Sequence, residues 1–334
     1  GNVYYMGISG AMNIGWLELE DGKYYFGEDG ILLTGWQEID GSFYYLGETG
    51  AMKTGWLEMD GNRYYLCADG TRYTGWLEMA EGKYYLNENG NPHTGWLELD
   101  GNKYYLCGDG TRYTGWLEMG EYNYYLKEDG TTAQGKLVID DTTYYFTSTG
   151  ARIILVNPWN FMPSDYETNF VEAERGRKVD ALCKDSLLEM LKACRDAGYN
   201  VKLLDGARTR DDQIYLFNRK VNYYLDRGYE KAEATAKAGT SVAMPGTSEH
   251  ELGLAVDLVD GSNTSLDESQ ESTPAQKWLM ENCWDYGFVI RYQEDKEDIT
   301  GYIAECWHVR YVGLPHSLDM RDRNLCLEEY LGVD

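Results

Sequence analysis

The sequence predicts a multidomain chain, with an all-β solenoid of hairpin repeats over residues 1–150 followed by an α+β domain over residues 151–334. Three observations carry this. Gly-Trp pairs put tryptophan at Trp16, Trp36, Trp56, Trp76, Trp96 and Trp116, each twenty residues after the last. Eight adjacent tyrosine pairs, from Tyr4-Tyr5 to Tyr144-Tyr145, keep the same step and register. From about Ile153 the period vanishes, and stretches of helical and strand-like spacing take over. A fixed internal period outranks local propensity as a sign of architecture, and the length exceeds one typical domain.

One repeat explains the others. Trp96-Leu97-Glu98-Leu99 alternates apolar with polar, Asp100-Gly101 supplies a tight turn, and Lys103-Tyr104-Tyr105-Leu106 returns as an aromatic strand. Gly108-Asp109-Gly110 then breaks the strand before the next Gly-Trp. A lone hairpin is marginal in water, so each unit must bury its aromatic face on its neighbours, which is the basis for expecting a solenoid. In the last unit Gly135-Lys136 replaces Gly-Trp, as befits a terminal cap. Cys67 and Cys107 hold equivalent places two repeats apart and read as half-buried fillers rather than a disulfide. The seven cysteines cannot all pair, and they show no CxxC zinc spacing.

In the second part, residues 180–197 space Leu182, Leu187, Leu188 and Leu191 as a helix does, with Gly198 placed to end it. Residues 201–204 and 254–259 read as strands and 213–225 as a helix. This mixed order is that of an α+β domain.

The net charge of -26 is shared, with 9 basic and 23 acidic residues up to position 150 and 21 and 33 beyond it. Phosphate-backbone binding needs clustered Lys and Arg, so a nucleic-acid partner is not expected, nor is an anionic membrane surface. No run approaches the roughly 18 apolar residues of a membrane-spanning helix, so membrane insertion is not expected either. Gly1 begins partway through a repeat, so the sequence is expected to continue upstream.

Of the four histidines, His93 and His316 stand alone, whereas His250 and His308 fall in compact polar motifs. These are Ser248-Glu249-His250-Glu251-Leu252-Gly253-Leu254-Ala255-Val256-Asp257 and Glu305-Cys306-Trp307-His308. Two imidazoles and one carboxylate match a catalytic zinc site, which uses three protein ligands and keeps one position open. An HExxH helix is excluded because Leu254 stands where the second histidine belongs. Gly253 and the β-formers after it suggest a loop entering a strand, with His250 and Asp257 at either end of a turn and Glu251 at the surface. Glu305 and His308 lie three apart, so both face one site only if the strand bends between them. A carboxylate beside the site that is not itself a ligand is what proton transfer from water requires, and Glu305 suits that role.

Together with Pro245-Gly246-Thr247 before Ser248, Asp205-Gly206-Ala207-Arg208-Thr209 with Gln213, Tyr286-Gly287-Phe288, Arg291-Tyr292, Thr300-Gly301-Tyr302 and Arg310-Tyr311-Val312-Gly313, these motifs resemble VanY-type D-alanyl-D-alanine carboxypeptidases. The resemblance covers nearly all of residues 155–315. It implies a zinc peptidase domain in which His250, Asp257 and His308 bind one Zn2+ per chain and Glu305 acts as general base and then acid. Arg208 would hold the substrate's carboxylate and carbonyl, and Gln213, Ser248 and Trp307 would line the pocket. The substrates implied are peptidoglycan stem peptides ending in D-alanine. The same motif serves LD-carboxypeptidases and endopeptidases at L-to-D junctions, and a catalytically silent wall-binding protein or an adhesin is a further alternative. Two positions depart from the family pattern: Ala207, where Tyr or Phe is usual, and Cys306, where Pro is common. The second raises the alternative of a thiol as fourth ligand.

The repeats resemble the choline-binding or cell-wall-binding repeats of Gram-positive surface proteins, and equally the carbohydrate-binding repeats of clostridial toxins. That resemblance implies shallow aromatic sites at Trp36, Trp56, Trp76, Trp96 and Trp116 with Tyr45, Tyr65, Tyr85 and Tyr105, taking choline-bearing teichoic acid or wall carbohydrate. It also implies a secreted, cell-wall-associated protein. Such repeats often carry a third aromatic before the tyrosine pair, kept here only by Phe43 and replaced by Lys23, Arg63, Lys83 and Lys103. A cation there should repel choline, so choline and carbohydrate both stay open.

Overall fold

Asp100 and Gly101 turn one hairpin with φ of 51° and 75°, the doubly left-handed geometry that matches the twist of two antiparallel strands. The computed structural model that shows this describes residues 1–164 and 166–333. The chain divides into two compact units, Gly1–Gly115 with Leu126–Thr132 and Trp116–Tyr125 with Ala133–Asp334. This division does not follow the change of period near residue 150, because two segments of the repeat region belong to the second unit.

In the first unit each repeat is a two-stranded antiparallel hairpin, such as Gly35–Ile39 with Ser42–Leu46 and Gly75–Met79 with Gly82–Leu86. Register sets Trp36 opposite Tyr45 and Trp76 opposite Tyr85, the cross-strand aromatic pairing that stabilises such ribbons. Each tryptophan also meets a tyrosine of the following hairpin: Trp36 lies 4.9 Å from Tyr64 and Trp76 lies 5.0 Å from Tyr104, centroid to centroid. The segment after each hairpin bonds back to the one before, with Met52 N donating to Lys23 O at 2.8 Å and Arg72 N to Phe43 O at 2.7 Å. Leu46, Leu66, Leu86 and Leu106 recur beneath the pairs and are fully buried. Gly70 must be glycine on two grounds, since its φ is +88° and a Cβ would stand 2.2 Å from Met52 Sδ.

The second unit holds a four-stranded antiparallel sheet of β1 (Val201–Asp205), β2 (Ala255–Asp260), β3 (Phe288–Tyr292) and β4 (Glu305–Tyr311), in the order β1-β2-β4-β3. Helix α1 (Ala181–Asp196) packs on it through Cys183, Leu187, Met190, Leu191 and Cys194, all buried and all on one stripe. Asp180 caps α1 by accepting from Leu182 N. Helix α2 (Arg210–Leu225) starts with a reciprocal capping box between Thr209 and Asp212, and it packs with α3 (Lys231–Gly239) through Phe217, Val221, Ala234 and Ala238.

The helices and strands expected in this part are present, with ends that differ by at most three residues. One expectation is corrected. His250 lies not in a loop but on a single helical turn, α4 (Glu249–Leu252), which Gly253 ends in the left-handed conformation at φ 73°. A Cβ on Gly253 would come within 2.7 Å of the Phe170 ring and 2.8 Å of Asp180 N, so no other residue fits there. All seven cysteines are free, with Cys67 and Cys107 half-buried. Among the described residues no helix is long and apolar enough to cross a membrane.

Candidate metal centre and its cleft

Pairing across the sheet puts Asp205 of β1 opposite Asp257 of β2, and Asp257 opposite His308 of β4, so three functional side chains share one row. Short α4 delivers His250 to the same point. Its Nδ1 lies 2.8 Å from the carbonyl of Gly206, an acceptor only, so the proton sits on Nδ1 and Nε2 faces Asp257 Oδ1 at 3.5 Å. His308 Nδ1 approaches the same Oδ1 at 3.3 Å. One ligand atom from each of His250, Asp257 and His308 lies within 4.8 Å of the others.

These residues fit a metal on an observation independent of any motif. Asp257 Oδ1 is buried with no hydrogen-bond partner, flanked by two imidazole nitrogens. An orphaned buried carboxylate oxygen is costly, and a cation would satisfy it. The donor set of two imidazoles and one carboxylate oxygen suits zinc.

Electrostatics in the cluster follow from what each group touches. Burial works against the charge on Asp257, yet the two imidazoles hold its carboxyl well below the usual carboxylate range. Burial and the nearby Arg208 guanidinium hold His250 low, against the pull of Asp257. Burial alone would depress His308 too, but the carboxylates of Asp257 and Glu249 that face its two nitrogens prevail and carry it up to about 9. The two rings differ because Arg208 bears on His250, whereas His308 touches Glu249, at 3.2 Å from its Nε2.

Glu305 Oε2 stands 3.9 Å from His308 Nδ1. The bend required of the strand is present: Ile290 pairs with Val309 but Tyr292 with Glu305, so β4 carries extra residues between two β3 partners two apart. Cys306 thereby faces the other side, toward Glu271, Met280 and Trp284, and is not among the clustered ligand residues. Burial pushes the Glu305 carboxyl up to about 7, with His308 pulling the other way.

A cleft of about 750 Å³ opens above this cluster, lined among others by Arg208, Ser248, Glu305 and Trp307. Arg208 is gripped by Asp205, whose Oδ2 accepts from Nε at 3.0 Å and pairs with Nη2 at 2.9 Å. Gln213 does not line the cleft as expected. It is fully buried, accepting from Arg208 Nη1 at 3.2 Å and donating to Ala243 O at 2.7 Å, so it holds the arginine from behind. Glu251 is corrected as well: it is buried, not at the surface, and accepts from Arg210 Nε and from Gly246 N.

The family described as VanY, D-alanyl-D-alanine carboxypeptidase, matches residues 176–314, the stretch that carries this geometry. A solved structure of VanYB in complex with D-alanine-D-alanine is 38% identical, covers 54% of this chain and 97% of that one, and superposes with a TM-score of 0.50. The chain belongs to the VanY family. A D-alanyl-D-alanine carboxypeptidase of Enterococcus faecalis is 39% identical over 183 residues, which are 54% of this chain and 66% of that protein's length. A mutant VanY from a VanB-type resistance cassette, solved in complex with Zn(II), is 39% identical, covering 53% of this chain and 97% of that one, with a TM-score of 0.49. Choline-binding repeats match residues 33–74 and 113–157, and a cell wall binding repeat matches 14–32 and 94–111.

Within the VanY fold, sequence reasoning assigns no role to Asp205, which holds Arg208, to Glu249, which bonds His308, or to Tyr292, whose tilted ring lies 4.9 Å from that of His308, centroid to centroid. In the repeats, several of the tryptophans expected to face a wall ligand are covered by the chain's own cations. Arg63 lies 3.7 Å from the Trp56 ring centroid, Lys103 4.2 Å from Trp96, Arg152 5.4 Å from Trp116, and Lys23 4.5 Å from Trp16. Among the described residues no such cation covers Trp36, whose hairpin carries Phe43, or Trp76, whose Lys83 turns to Glu78 at 3.1 Å.

Proposed function

We propose that this chain is a zinc-dependent carboxypeptidase that removes terminal D-alanine from peptidoglycan stem peptides. The observation that carries the reading is one cleft holding three convergent ligand atoms, a carboxylate outside that set at Glu305, and a buttressed guanidinium at Arg208. His250 Nε2, Asp257 Oδ1 and His308 Nδ1 would hold the ion. When bound, Zn2+ supplies Lewis acidity toward a peptide carbonyl and makes water a nucleophile near neutral pH. Ionised Glu305 takes the proton of the attacking water as its oxygen bonds to the peptide carbon. It then gives that proton to the nitrogen of the departing D-alanine as the C–N bond breaks. Arg208 has five N–H donors, of which those to Asp205 and Gln213 fix the fork, leaving others for the terminal carboxylate of the substrate. Ser248 and Trp307 would wall the substrate in, and the rings at Tyr292 and Tyr302 seal the site behind His308.

The repeats, taken as the functional unit of residues 1–150, would hold this peptidase at the wall of the secreting cell, raising its local concentration on the polymer. With their own cations over three of the expected tryptophans, and Arg72 4.2 Å from the Phe43 ring centroid in the hairpin of Trp36, Trp76 is the ring best placed for a quaternary ammonium, while sugars could stack on the rings left open.

Mass analysis of products from stem peptides ending in D-alanyl-D-alanine, from tetrapeptides and from peptides with internal L-to-D junctions tests the specificity. Loss of one D-alanine from the first, abolished by chelator and restored by Zn2+, is expected. Cleavage confined to either of the others, or undiminished by chelator, would overturn the reading.

A further inference from the structure

Glu249 is the most enclosed acid beside the cleft, with its side chain wholly out of solvent. Its Oε1 accepts from Arg291 Nε and Arg310 Nη1, each at 2.8 Å, and its Oε2 faces His308 Nε2 at 3.2 Å. Arg291 is itself clamped by Glu328, through Nη1 to Oε2 at 2.8 Å and Nη2 to Oε1 at 2.6 Å. Glu328 Oε1 in turn accepts from Asn157 Nδ2 at 2.9 Å. Asn157 and Glu328 both lie outside the residues matched by the VanY family, 176–314. Both arginines are at most 1% exposed. Ions buried this deeply are dear in desolvation, and apolar residues of equal volume often serve stability as well, so stability alone does not account for the network.

What the network achieves is visible at His308. An imidazole that gives one nitrogen to a metal carries its single N–H on the other, and its neighbours decide which nitrogen that is. Two guanidiniums occupy Oε1 of Glu249 and leave Oε2 as an acceptor, which draws the proton of His308 to Nε2. The Nδ1 lone pair then points at Asp257 Oδ1, where His250 Nε2 also points because Gly206 O takes the proton of its Nδ1. We infer that Glu249 is a positioning residue, locked by Arg291 and Arg310, which sets the tautomer and orientation of His308 so that Nδ1 is the nitrogen offered to the metal. Ligand histidines commonly need such an outer partner, whose loss costs about 10- to 100-fold in metal affinity. This inference rests on the zinc reading above.

The test uses the full chain loaded with Zn2+ and labelled with 15N-histidine. The expected spectrum shows His308 protonated at Nε2 and metal-bound at Nδ1; a proton on Nδ1 with the metal at Nε2 overturns the inference. In Glu249→Gln the amide oxygen can keep both arginines, which turns the NH2 donor toward His308 Nε2 and favours the wrong tautomer. Chelator competition should then show zinc affinity lower by about 10- to 100-fold, while Glu328→Gln, which leaves the Glu249–His308 bond in place, should stay within about threefold. An unchanged affinity in folded Glu249→Gln, or equal losses in both variants, sinks the proposal, the second outcome marking a general structural effect. Should the unmodified chain bind no zinc, the functional reading itself fails. Zinc bound through the other nitrogen defeats only the role of Glu249.

Discussion

Asp257 and His308 are register partners on adjacent strands, and the aspartate Oδ1 that faces the imidazole Nδ1 at 3.3 Å has no hydrogen-bond partner of its own. A buried acceptor in that position makes the folded chain a better zinc ligand than the unfolded one. Adding Zn2+ at about a hundredfold over its dissociation constant should therefore stabilise the second unit by about 2.7 kcal/mol, seen as a rise in Tm. Asp257→Asn should lose most of that response. A variant that gains as much from Zn2+ as the unmodified chain would remove Asp257 from the ligand set.

Glu305 is close to the cluster without belonging to it, so its removal should separate chemistry from metal binding. Glu305→Gln is expected to lower kcat by roughly 10²- to 10⁴-fold while leaving zinc affinity and KM nearly unchanged. Steady-state kinetics beside a metal titration checks both halves. A variant that keeps its kcat shows that another group moves the proton.

Arg208 should read the free carboxylate of the substrate. Truncation to Met removes charge-assisted hydrogen bonds of about 1.5–3 kcal/mol, so kcat/KM on a stem peptide should fall about 10- to 200-fold. The C-terminal amide of the same peptide should be a poor substrate for the unmodified chain and lose little more in the variant. Equal losses on acid and amide would place Arg208 elsewhere in the mechanism.

In the repeats, the guanidinium of Arg63 occupies the face of Trp56 that a quaternary ammonium would use. Arg63→Phe restores the aromatic that Phe43 supplies at the equivalent place, and it should raise choline affinity at that site by about twofold to thirtyfold in calorimetry. No gain would favour a carbohydrate ligand for the array.

The parts of the molecule differ in how plainly the sequence announces them. The repeat is legible because each cycle must refill the same space: Leu46, Leu66, Leu86 and Leu106 bury one apex, and Trp and Tyr pair across every hairpin from Trp36 to Trp76. His250, Asp257 and His308 are legible because few side chains bind zinc and these fall in tight motifs. Glu249 and Glu251 are not separable in the sequence, being alike in type and two residues apart. Their fates are decided by arginines elsewhere along the chain, Arg291 and Arg310 for one and Arg210 for the other. The one-turn helix α4 is too short for a 3.6-residue period to register, and so it reads as a loop. Gln213 resembles a pocket residue because motif proximity says nothing about which side of Arg208 it occupies.

His316 should make the second unit sensitive to acid. Its Nδ1 lies 2.9 Å from the Tyr330 hydroxyl, its ring meets Tyr122 edge-on at 5.1 Å, and Asp319 is the nearby acid. Burial pushes its pKa down to about 4, only partly opposed by Asp319. The folded chain thus binds fewer protons than the unfolded one between pH 4 and the ordinary histidine value of about 6.5, so stability is complete above that value and drains away as pH falls. The loss integrates to about 3 kcal/mol at pH 4, set by a shift of roughly 2.5 units. His316→Gln offers Tyr330 a polar partner that does not titrate. Urea unfolding of the metal-free chain at several pH values should show the unmodified protein losing about 3 kcal/mol more than this variant between pH 7 and pH 4. Parallel pH profiles would mean that His316 keeps an ordinary pKa in the folded chain, and the acid sensitivity would then belong to other groups, His250 among them.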